Sequence, residues 1–137
     1  MAAGYSGTPL AKKLSLKDGQ HVWFGGMPDS VRAQIDAERL GLVHLAELDS
    51  GLDVAHIFVT ERTELERLVA RLRPLLAPTG FIWVSWPKKA SKVPTDITED
   101  VIRAVILPNT DLVDVKVCAV DEVWSGLKLM IRKERRS

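Results

Sequence analysis

The chain has 137 residues, the length of one domain able to bury roughly two thirds of its unfolded surface. Its 46% apolar and 27% charged content is that of a soluble globular protein, which sets aside disordered and fibrous classes. A net charge of +1 supplies no field over the whole molecule and argues against nucleic acid as a partner. The single cysteine, Cys118, rules out an intramolecular disulfide. No apolar run approaches a membrane span and no signal-peptide pattern is present, so a cytoplasmic protein with no membrane partner is expected.

In chain order, Tyr5-Ser6-Gly7-Thr8-Pro9 is rich in turn formers and reads as an irregular arm. Thr8-Pro9 offers an N-cap and first helical position for a short helix from Leu10 to Leu14. Ser6, Gly7 and Thr8, followed by Lys12 and Lys13, have the makings of a small anion cradle, and a plain arm ending in a helix cap explains them equally well. After Gly19, His21 to Phe24 reads as a first strand, closed by Gly25-Gly26-Met27-Pro28. Asp29 is placed to cap a helix running to about Leu40, with Gly41 as its left-handed end. Leu42 to Leu48 then reads as a strand, and Asp49-Ser50-Gly51 as a turn.

The stretch from Asp53 to Lys89 organises the rest. Val54 to Val59 is nearly continuous apolar sequence, as in a strand covered on both faces. Thr63 and Glu66 match a capping box. Leu65, Leu68, Val69, Leu72, Leu75 and Leu76 fall on one helical stripe, which Pro78-Thr79-Gly80 should stop. Phe81 to Trp86 is a second buried strand, so the unit is a right-handed parallel crossover. A basic loop, Pro87 to Lys92, leads to a helix capped by Thr95, Asp96 or Thr98, with Val101, Ile102, Val105 and Ile106 inward. Leu112 to Val120 and Leu127 to Arg132 close the chain as an antiparallel hairpin before a basic tail.

The fold expected is one α/β domain over residues 1–137, with an arm over 1–19 and a sheet core over 20–133. It is a three-layer, mostly parallel open sheet ending in an antiparallel hairpin. Its strand order is second, first, third, fourth, sixth, fifth, with only the sixth antiparallel.

This order of elements resembles a shortened, Rossmann-like class I methyltransferase fold. Leu76-Ala77-Pro78-Thr79-Gly80 is similar to the turn that precedes the fifth strand of those S-adenosylmethionine enzymes. Residues 5–14 (YSGTPLAKKL), 86–89 (WPKK) and 120–128 (VDEVWSGLK) together resemble a bacterial family known as a domain of unknown function. That second likeness implies the fold and the size but no activity. Two departures from the methyltransferase pattern stand out. The loop Phe24-Gly25-Gly26-Met27-Pro28 lacks the acid and the third glycine that let backbone approach the cofactor. The stretch between Leu48 and Asp53 is also too short for the helix, strand and helix that wall the adenosine. Glu47 or Asp49 stands where a ribose-binding acid would, or is simply solvated.

Ligands of open α/β sheets bind beyond the carboxyl ends of the parallel strands. That edge should gather Gly25, Gly26, Trp86, Lys88 and Lys89, joined by Asp121, Glu122, Trp124 and Ser125 from the hairpin turn. These make an anion-binding rim, or else the lysines pair with Asp121 or Glu122 and pin the loop while the tryptophans close the core. His56, among apolar neighbours, reads as a satisfied core histidine. No cluster has metal-ligand spacing, and no serine or cysteine lies beside an evident base.

The expectation is a noncatalytic methyltransferase-like module that uses no cofactor and binds a small anion or a protein partner. The alternative is a divergent enzyme using S-adenosylmethionine or a nucleotide in a reduced site. A homodimer is a further expectation, because the edge strand from Leu42 to Leu48 carries only His44 and Glu47 to discourage pairing.

Overall fold

A computed structural model describes residues 9–136 of the chain. The apolar run after Gly51 forms strand β3 (Leu52–Phe58), between two parallel neighbours, β1 (His21–Gly25) and β4 (Leu76–Pro87). Strand β2 (Val43–His44) lies outside β1, while β6 (Trp124–Ile131) and β5 (Leu112–Ala119) extend the sheet beyond β4. The order is β2-β1-β3-β4-β6-β5, with β6 antiparallel to both neighbours. This is the mixed α/β sheet and the strand order that the sequence predicts.

Alternation along the strands divides the core into two layers. Ala55, Ile57, Ile82, Val84, Leu127 and Leu129 pack with Leu65, Leu68, Val69 and Leu72 of helix α4 (Arg62–Leu72) and with Ile102, Val105 and Ile106 of α5 (Glu99–Ile106). On the other face Val22, Val54, Phe58, Phe81 and Trp83 meet α1 (Leu10–Lys13) and α2 (Asp29–Ile35). The buried Trp83 indole N–H donates to the Leu14 carbonyl at 3.0 Å, which ties the end of α1 onto the sheet.

Several boundaries differ from expectation for identifiable reasons. The capping box is not used: α4 starts at Arg62, whose backbone N–H donates to Asp96 Oδ1 at 2.7 Å. The carboxylate comes from a loop distant in sequence, and Glu66 instead accepts from Arg62 Nε at 3.0 Å. The helix ends at Leu72, because Pro74 cannot donate and Arg73–Leu75 tightens into a 3-10 turn. Leu76 to Gly80 therefore already belongs to β4. Gly80 passes so close to β3 that a Cβ there would lie 2.8 Å from the Leu52 carbonyl oxygen.

The helix expected from Asp29 to Leu40 is broken at Asp36, which is left-handed (φ 54°, ψ 59°), and resumes as α3 (Ala37–Leu40). Pro28 occupies its N-cap, with Asp29 in the first turn. Gly41 is left-handed as predicted, at φ 75°. The strand expected over Leu42 to Leu48 shrinks to Val43–His44, since Leu45 and Leu48 turn to pack on the α4-side core. Of the three residues offered as cap for α5, Thr98 does it, its Oγ1 accepting from Val101 N at 3.1 Å. Pro9 is the N-cap of α1 rather than its first helical residue. Thr8, like Ser6 and Gly7, lies outside the described residues.

Candidate functional site

The carboxyl ends of β1, β3 and β4 and the turn between β5 and β6 lie along one edge of the sheet. The hairpin turn is brought there by antiparallel register, which sets Ser125 opposite Trp86 and Trp124 opposite Pro87. Lys88 N donates to the Val123 carbonyl at 2.7 Å and fastens the loop after β4 to that turn. Asp121 shapes the turn itself: its Oδ1 accepts from the backbone N–H groups of Val123 and Trp124, each at 2.8 Å.

The predicted rim residues divide on this geometry. Lys88 is half-buried, while Lys89 and Glu122 are exposed. Among the described residues neither lysine makes an ion pair, so the expected pinning by Asp121 or Glu122 is replaced by the backbone bond to Val123. Trp86 and Trp124 do not converge. Trp86 is buried in the α4/α5 core, whereas Trp124 packs on the opposite layer, its ring edge-on to Phe58 at 5.1 Å. The two sit one register step apart on paired strands, so the pleat sends them to opposite faces. Ser125 is half-buried, and Lys12 is exposed on α1.

Gly25 and Gly26 close β1 at the same edge. Gly26 is left-handed, at φ 68°. The room that the absent Gly25 side chain leaves is taken by the chain itself, because a Cβ there would lie 2.7 Å from Trp23 Cζ3. Beside them opens a cleft of about 310 Å³, walled by Trp23, Phe24, Phe58 and Leu68, with Glu64 and Arg67 at its polar side. Phe24 carries the Arg32 guanidinium 5.5 Å above its ring and meets His44 edge-on at 5.3 Å. Sequence reasoning missed this cleft, because Trp23 and Arg67 lie far apart in the chain and only the packing of α4 beside β1 joins them.

A buried pair below the edge was also missed. His56 Nε2 and Ser85 Oγ are 2.7 Å apart, with His56 stacked on Phe58 at 4.4 Å. Burial pushes the imidazole down to about 3, so it is neutral at neutral pH. At 1% and 0% exposure the pair is closed to substrate, and it serves as the satisfied core histidine that the sequence suggests. Residues 56 and 85 do share strand parity with Val54 and Trp83, which was the available signal. Among the described residues no group of His, Cys, Asp or Glu could hold a metal ion, and no helix is long and apolar enough to cross a membrane.

The architecture defines the class: this is a methyltransferase-like, Rossmann-type fold. The chain is similar to a SAM-dependent methyltransferase from Aquifex aeolicus, with TM-score 0.61 and 17% identity over 88% of this chain and 86% of that one. It is similar to the N-methyltransferase NodS from Bradyrhizobium japonicum WM9, with TM-score 0.55 and 11% identity over 88% and 92%. Fibrillarin from Aeropyrum pernix, a structure with natively bound S-adenosyl-L-methionine, matches with TM-score 0.52 and 15% identity over 93% and 70%. No family model matches the sequence, and no curated protein matches it.

The close approach that a glycine loop offers to a cofactor is filled by the Trp23 indole. Strand β2 ends after two residues, and Glu47 and Asp49 are exposed in the loop beyond it.

Proposed function

We propose that this chain is a noncatalytic module of methyltransferase fold that binds a small anionic ligand or a protein partner at its strand-end edge. The observation that carries the reading is Trp23 lying against Gly25, where a cofactor would need bare backbone. The cations along the same edge support the anionic preference. Lys88, Lys89 and Arg67 make no ion pair among the described residues, and Arg67 borders an aromatic cleft. A partly charged ligand would contact the aromatic wall of that cleft and meet Arg67 by a charge-assisted hydrogen bond.

The second reading, a divergent enzyme using S-adenosylmethionine or a nucleotide, is favoured by the cleft of about 310 Å³ beside Gly25-Gly26. Thermal shift with S-adenosylmethionine, S-adenosylhomocysteine and a set of nucleotides separates the two. A ligand at a hundred times its dissociation constant stabilises the folded state by about 2.7 kcal/mol, a readable shift. No response to either methionine cofactor is expected from the wild-type chain, and a clear response would reverse the ranking.

A further inference from the structure

On the α1 face of the sheet two ammonium groups, those of Lys116 and Lys128, form no ion pair with a carboxylate among the described residues. Lys116 of β5 and Lys128 of β6 are direct partners across the antiparallel ladder, an arrangement in which like charges repel. Lys128 Nζ sits 4.2 Å from the centroid of Phe81 and donates to Ser15 Oγ at 3.1 Å. Lys116 Nζ donates to the Lys13 carbonyl at 3.3 Å. Burial, and then the charges of Lys116 and Lys17, push the Lys128 ammonium below its usual range. Among the described residues none of Lys17, Lys116 and Lys128 forms an ion pair.

Closing the carbonyl end of α1 does not account for the cluster. One bond, from Lys116 to the Lys13 carbonyl, does that job, while each ammonium has three donors to place. The backbone adds a second sign. Leu16 N donates to the Ala11 carbonyl at 2.9 Å and Ser15 N to the Lys12 carbonyl at 3.1 Å, the pairing of a Schellman ending. Its left-handed position, usually glycine, is here Ser15 at φ 61°. A side chain at that position strains the backbone, and the hydroxyl it adds is the one that meets Lys128. Because Ser15 Oγ accepts from Lys128, its own proton is left to donate to an incoming acceptor.

We propose that Lys116 and Lys128, with the Ser15 hydroxyl and with Lys17 two residues beyond it in the chain, form an anion site that takes the diphosphate group of a small phosphorylated ligand. One phosphate carries about two negative charges, fewer than the three ammoniums present, and a second phosphoryl group restores the balance. The site is separate from the strand-end edge. Lys128 pairs with Trp83, four residues and so roughly 13 Å before Pro87 along β4.

The test titrates the full chain with inorganic phosphate, inorganic diphosphate and ADP at constant ionic strength, read by calorimetry. Diphosphate is expected to bind more tightly than phosphate. Lys128→Met, which keeps an apolar stem over Phe81, should weaken it about tenfold or more, the loss of one charge-assisted bond. Lys88→Ala with Lys89→Ala should leave the affinity unchanged. ADP binding more tightly than diphosphate would assign the site to a nucleotide, and the reverse order to the free anion. Should Lys128→Met not fold, Ser15→Gly is the second probe: it relieves the strained backbone, so it should raise the melting temperature of the free chain while weakening diphosphate. Absence of saturable binding, binding that both Lys128→Met and Ser15→Gly leave intact, or binding abolished at Lys88 and Lys89, overturns the proposal.

Discussion

The two halves of the sheet are built differently. From β3 to β5 the strands run 7 to 12 residues, packed against α4 and α5 on one face and against α1 and α2 over part of the other. Toward β2 the last strand has two residues, and Leu45 and Leu48 beyond it pack on the α4-side core. The first half carries the large apolar side chains, and with them the stability. The second half carries the clipped strand, the left-handed glycines and the cleft. The main core and the short outer edge of the sheet therefore rest on different strands.

The largest effect expected lies in the thick half, at His56. Its folded value of about 3 is below the unfolded value of 6.5, so the unfolded chain takes up a proton that the folded chain refuses. That stabilisation is whole above pH 6.5 and drains as pH falls toward 3, at up to about 1.4 kcal/mol per unit and about 4–5 kcal/mol in all. Urea titrations from pH 7 down to about pH 4 should show His56→Gln losing less stability than the wild type on acidification. Parallel loss in both chains would mean that the imidazole titrates freely.

Next comes the helix that covers this half. Leu72, the last residue of α4, is fully buried, so Leu72→Ala should cost about 2–5 kcal/mol by lost transfer energy and the cavity left behind. An unfolding free energy within about half a kcal/mol of wild type would mean that α4 does not hold the core. By contrast, Leu45→Ala in the thin half should cost less, because that side chain is only half-buried.

A smaller effect is expected where the thin half meets the cleft. Gly25→Ala pushes a methyl group against the Trp23 indole, which must swing out of its packing on the core, so about 1–3 kcal/mol is expected. The swing should appear as a change in tryptophan fluorescence. An unchanged emission together with unchanged stability would show that Trp23 does not fill the glycine's space.

How legible this was in the sequence follows the same division. Period-two and continuous apolar runs give β3, β4 and the hairpin, and the stripe from Leu65 to Leu72 gives α4, since each is set by local pattern and burial together. The strand order follows from the crossover unit and the hairpin. What escaped was set by distant partners: Asp96 supplying the cap expected from Thr63, Pro74 ending the helix before Pro78, and Ser85 meeting His56. The site was the least legible. The edge could be foreseen from topology, yet which face Trp86 and Trp124 take depends on a one-residue register that spacing alone does not fix.

The smallest stability effect is expected at the lysines of that edge, and here a null result sharpens the comparison. If Lys88 and Lys89 held the loop to the hairpin through carboxylates, removing both would loosen the end of β4. The structure holds the loop by other means. Lys88 N bonds to the Val123 carbonyl, Ser91 Oγ donates to the Lys88 carbonyl at 2.7 Å, and Asp121 is occupied by backbone N–H groups of its own turn. None of these bonds involves an ammonium. Lys88→Ala with Lys89→Ala should therefore shift stability by no more than about 0.5 kcal/mol, the range of ordinary surface replacements. Any ligand that the edge binds through its cations should lose affinity in the same protein. A drop in melting temperature of several degrees, with no change in ligand response, would return both lysines to a purely structural role.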